Sequence, residues 1–75
     1  MTLDEFIEAF AEEFDDTPVE AFKADTKYRQ LDEWSSLTAL SIISMVDDQF
    51  DKNITGADIR SSETIEDLYK LIQAK

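Results

Sequence analysis

The chain contains no cysteine and no histidine. Without cysteine it can form no disulfide, zinc–thiolate site or thiol nucleophile. Without histidine it lacks the side chain that most often moves protons near neutral pH. An enzyme built on this chain would have to work without its commonest tools. Basic residues are also few: 7 Lys and Arg stand against 18 Asp and Glu, for a formal net charge of -11. Such a charge repels nucleic-acid backbones and anionic membranes and attracts proteins with basic patches. No apolar run approaches the roughly 20 residues of a membrane span. The first ten residues are acidic, unlike the basic start of a secretory signal. These absences lead us to expect no nucleic-acid partner, no membrane partner and a cytoplasmic location. Like-charge repulsion favours a monomer. At 75 residues the chain has room for a single domain, 1–75, with a thin core.

No segment alternates as a strand would, whereas helical spacing recurs throughout. Thr2 and Glu5 form a capping box, and Leu3, Phe6, Ile7, Phe10 and Phe14 follow on one face. This predicts a first helix over about 3–14. Thr17-Pro18-Val19-Glu20 is a second start signal, opening a short helix that reaches about Lys23. Residues 24–35 read as an ordered loop, pinned to the core by Tyr28, Leu31 and Trp34.

A second long helix opens at Ser35 or Ser36 and runs to about Phe50. It carries Leu37, Leu40, Ile43 and Val46, with Ala39, Ile42 and Met45 between them. That is more apolar surface than one stripe can hide, so part of it must be exposed or line a cavity. Asp47 and Asp48 sit at its C-terminal end, where the helix dipole disfavours acid. A short third helix, about 56–61, is capped by Thr55 and points Ile59 inward. A fourth, about 63–73, follows Ser62 and buries Ile65, Leu68, Leu71 and Ile72. The expected class is all-α, a small antiparallel bundle of three principal helices and one or two short ones.

Asp51-x-Asn53-x-Thr55-Gly56 matches the opening of a calcium-binding loop. The match ends there. Ser62 stands where a bidentate glutamate is needed, and Asp58 stands at a position normally apolar. The segment reads as an Asx-rich turn, with no metal site expected. Mimicry of nucleic acid by the acidic surface fits poorly too, because the second helix has too few charges to imitate a phosphate row.

Ser35 and Ser36 remain. The first turn of a helix exposes free backbone N–H groups and a partial positive charge. A phosphate esterified to a serine there is well placed. A capping serine is the commoner arrangement, and spacing alone favours it.

The segment Leu31-Asp32-Glu33-Trp34-Ser35-Ser36-Leu37 resembles the prosthetic-group site of acyl carrier proteins. In that family an Asp-Ser-Leu triplet starts the second helix. Asp47-Asp48-Gln49-Phe50 resembles the end of the same helix, and the stretch from Ser62 to Ile72 resembles the final helix. The resemblance extends over roughly residues 3–73. It implies 4′-phosphopantetheine, derived from coenzyme A, attached to Ser36, with cargo held as a thioester. It implies that the protein catalyses nothing itself. Its partners would be a phosphopantetheinyl transferase and the acyl- or aminoacyl-loading and acyl-transfer enzymes. Leu37, Leu40, Asp47 and Asp48 would contact them. The chain departs from the family pattern at Ser35, where the family has aspartate, and at Thr38 and Ser41, where acids are common. The alternative is an unmodified acidic interaction module that keeps the carrier fold.

Overall fold

Every helix in the computed structural model, which describes residues 1–75, begins on a hydroxyl side chain that closes its first turn. The helices are α1 (Leu3–Glu12), α2 (Ser36–Phe50), α3 (Gly56–Ser61) and α4 (Ile65–Gln73). Thr2, Thr55 and Thr64 form reciprocal capping boxes with Glu5, Asp58 and Asp67. Each box satisfies two backbone donors that the helix itself leaves free. Two short 3₁₀ turns, Val19–Ala21 and Tyr28–Gln30, lie in the long connection from α1 to α2. There is no strand, only an isolated bridge between Lys27 and Thr64. The fold is therefore all-α, a small helical bundle. None of its helices is long and apolar enough to cross a membrane.

Ring contacts fix how the helices run. Phe6, near the start of α1, meets Phe50 at the end of α2. Phe10 and Phe14, at the other end, meet Trp34 just before α2. The Met1 carbonyl accepts hydrogen bonds from Tyr69 and Gln73 on α4. Thus α1 is antiparallel to both α2 and α4.

The core is aromatic. The Phe10 ring lies 5.5–6.5 Å, centroid to centroid, from those of Phe6, Phe14, Phe22, Tyr28 and Trp34. Aliphatic residues from the other helices complete it, with Ile42, Val46, Ile65, Leu68 and Ile72 fully buried. Truncating a buried phenylalanine typically costs about 3–5 kcal/mol, so Phe10 is the residue on which this packing depends most.

Several boundaries differ from the sequence reading. Helix α1 ends at Glu12, and Phe14 is buried beyond it. Acids at Glu12, Glu13, Asp15 and Asp16 crowd a C-terminus whose dipole disfavours them. The element after Pro18 is a single 3₁₀ turn. The start of α4 is set by Thr64, whereas Ser62 ends α3 and is buried. Residues 62–64 are held extended between the helices: Ile65 N–H donates to the Thr26 carbonyl at 3.1 Å and Glu66 N–H to that of Ala24 at 3.0 Å. Leu71 is half-buried, and so are Leu31 and Trp34, while Tyr28 is fully enclosed.

Candidate functional site

Ser35 and Ser36 are adjacent in sequence and differ in what their side chains do. Ser35 has extended backbone angles and is the N-cap of α2. Its Oγ accepts the Thr38 N–H at 3.3 Å and lies 3.2 Å from Thr38 Oγ1. Thr38 Oγ1 in turn donates to the Glu33 carbonyl at 3.0 Å. Ser36 is the first residue of the helix proper, is exposed, and has an Oγ engaged in no hydrogen bond within the chain. One serine closes the helix and the other is left free for chemistry. Serine and aspartate are comparable N-caps. At position 35 serine therefore keeps the capping function of an aspartate and drops only its charge.

Beside Ser36 lies a cleft of about 380 Å³ open to solvent. Ser35 and Ser36 form one side, Arg29 and Trp34 come from the long connection, and Gly56 and Arg60 come from α3. Arg29 and Arg60 are the only arginines of the chain. No carboxylate lines the cleft, although the chain carries 18 acids. Neither arginine pairs with a carboxylate, the sole ion pair being Lys75 with Asp58 at 3.1 Å. The Arg29 guanidinium donates to the Ser62 carbonyl at 3.1 Å, which anchors it against α3. Gly56 leaves room for Arg60: a Cβ there would sit 3.1 Å from Arg60 Nη1, tighter than ordinary contact.

Two further interactions hold the walls of this cleft. The buried Tyr28 hydroxyl is shared between the carbonyls of Ile59, at 2.6 Å, and Ser62, at 3.0 Å. This ties the long connection to the end of α3. Burial pushes the Tyr28 phenol up to about 12. Glu33 points the other way, accepting from the Thr17 hydroxyl and, at 3.0 Å, from the Asp16 N–H. The Thr17 hydrogen bond holds its carboxyl below the usual range. Glu33 thus fastens the connection without putting a negative charge in the cleft.

On another side of α2, Leu37, Leu40 and Met45 lie in a shallow groove of about 410 Å³ with Glu13 and Asp48. Leu37 is 76% exposed and Leu40 60%. The apolar excess of α2 is thus resolved by exposure: Ile42, Met45 and Val46 enter the core, while Leu37 and Leu40 stay outside. Of the four contact residues expected from sequence, Leu37, Leu40 and Asp48 share this groove; Asp47 is exposed but does not line it. The calcium-loop residues have other work. Asp51 ends α2 in the left-handed region at φ 56°, and Asp58 caps α3 and pairs with Lys75. No three acidic side chains converge as metal ligands.

Sequence reasoning gave Arg29 and Arg60 no role and read Gly56 only as part of the calcium-loop-like turn. Arginine's rarity in this chain was the one signal available, because residues 29 and 60 share no motif or spacing. No protein-family model, curated protein or solved structure significantly matches the chain.

Proposed function

We propose that this protein is a carrier of covalently attached cargo, with a 4′-phosphopantetheine arm esterified to Ser36. The observation that carries this reading is the division of labour at the start of α2: Ser35 occupies the cap and Ser36 presents a free, exposed hydroxyl. The surroundings fit a phosphate ester, because the adjoining cleft offers two guanidinium groups and no carboxylate.

Attachment would use coenzyme A and a phosphopantetheinyl transferase. The bond from Ser36 Oγ to phosphorus forms, and a P–O bond of the coenzyme A diphosphate breaks. Adenosine 3′,5′-bisphosphate leaves, and the hydroxyl proton passes to the transferase or to solvent. When attached, the arm supplies a terminal thiol that links to an acyl or aminoacyl group. The chain's own part is to hold the attachment point on a rigid helix end and to present Leu37, Leu40, Asp47 and Asp48 to loading and transfer enzymes. Tethering raises the effective concentration of cargo at each partner's site. The protein itself catalyses nothing in this reading, and it works among cytoplasmic biosynthetic enzymes.

The test is the intact mass after incubation with coenzyme A and a promiscuous transferase. One arm per chain is expected for the native protein and for Ser35→Ala, and none for Ser36→Ala. A native protein that gains no mass with several transferases ends this proposal. The exposure of Leu37 and Leu40 also favours a second reading, an unmodified module that docks a partner through the same groove. That reading requires no mass gain.

A further inference from the structure

The net charge of -11 hides a local inversion. The cleft beside Ser36 gathers both arginines of the chain and excludes every one of its 18 acids. Neither Arg29 nor Arg60 pairs with a carboxylate, so no side chain neutralises either guanidinium locally. Arg29 is held by the Ser62 carbonyl through one guanidinium nitrogen, which leaves its remaining N–H groups to donate elsewhere. The Arg60 guanidinium lies close over Gly56, 3.1 Å from where a Cβ would stand. Arg29 also borders a second cleft with Lys27, Gln30 and Glu63, where a carboxylate is present, so the acid-free surface is confined to the cleft beside Ser36.

We infer that the Arg29–Arg60 cleft seats the phosphate group of the ester on Ser36, folding the root of the arm back onto the protein. This inference rests on the carrier reading. Guanidinium groups match phosphate oxygens in geometry and bind them more strongly than neutral donors do. The free N–H groups in the first turn of α2 add a favourable field at the same place. An arm held at its root sweeps a smaller volume than one swinging freely, and its cargo is presented from the α3 side of the site. Ser35 belongs to the same arrangement: an aspartate there would place a carboxylate in the cleft and compete with the phosphate for both arginines.

The experiment has two independent readouts. The unmodified protein is titrated with inorganic phosphate at constant ionic strength, with sodium chloride as the balancing salt. Binding is followed by Trp34 emission and by the Nε–H resonances of Arg29 and Arg60. A saturable response is expected, weakened at least about tenfold in Arg29→Gln/Arg60→Gln. The chain is then modified with coenzyme A and a transferase, and attachment is scored by mass. In the modified protein the two arginine resonances should already be displaced and should no longer respond to added phosphate. Mass gain with unchanged arginine resonances overturns the cleft inference and leaves the carrier reading standing. Saturable phosphate binding without mass gain overturns the carrier reading and, with it, the assignment of the phosphate to the arm, leaving a site for free phosphate. Linear, unsaturated responses in both forms overturn the cleft as an anion site.

Discussion

Helix α2 separates two surfaces of opposite character. On one side Leu37 and Leu40 stand exposed among Glu13 and Asp48. On the other, Ser36 opens onto Arg29, Arg60 and Trp34 with no acid present. The groove suits a protein partner, with apolar contacts ringed by charge. The cleft suits a small anion. Net charge describes neither. A chain with 11 acids and 3 bases in its first 33 residues still sends one of those bases, Arg29, to a cleft whose lining holds no carboxylate. Arg60 arrives from the opposite end of the chain. Locally concentrated charge, not the global balance, determines what each surface can bind.

If the two surfaces are independent, each can be removed without the other. The largest effect is expected from Ser36→Ala: under the proposed carrier function it should abolish modification, while moving the melting temperature little, since Ser36 makes no side-chain hydrogen bond. Leu37→Ser/Leu40→Ser should come next: if the groove docks partners as proposed, it should lower cargo transfer to them by about tenfold or more. Its phosphate titration should be unchanged, and its stability should move by less than about 0.5 kcal/mol because both side chains are already exposed. A shift in the phosphate titration of this variant would show that groove and cleft are one site.

Alkaline pH should loosen the cleft wall. The Tyr28 phenol is raised from its ordinary value near 10 to about 12 in the folded chain. Its contribution is therefore complete below about pH 10 and lost as pH rises through about 12. The size is on the order of 2–3 kcal/mol. Denaturant melts across this window should slope downward for the native protein and less steeply for Tyr28→Phe. Equal slopes would show that burial does not raise the Tyr28 phenol.

The smallest change is the most pointed. Ser35→Asp keeps an N-cap and should leave stability within a few tenths of a kcal/mol, whereas Ser35→Ala should cost about 1 kcal/mol. The aspartate should nonetheless weaken phosphate binding several-fold, because it adds the cleft's first carboxylate. Unaltered phosphate affinity in Ser35→Asp would break the contrast between the surfaces.

Particular elements show how far local chemistry reached. The capping residues of α1 and α3, Thr2 and Thr55, act within three residues of sequence, and both were readable. Apolar spacing identified the buried faces of α1 and α4, since helical period and burial are linked by geometry. The start of α4 was misplaced by two residues because Ser62 and Thr64 are both competent caps. The choice between them came from backbone hydrogen bonds to Ala24 and Thr26, some 40 residues away.

The sequence alone determined the helical class, the existence of the α2 start with its two hydroxyls, and the exclusion of thiol and imidazole chemistry. These depend on residue type and short-range periodicity. The folded structure decided which serine caps and which is free, because the chain enters α2 with Ser35 extended and its hydroxyl on the Thr38 N–H. It also decided that Arg29 and Arg60, 31 positions apart, share a cleft from which Glu33 is drawn away by Thr17. No local signal encodes such a meeting, since it is produced by the packing of the long connection and α3 around Tyr28.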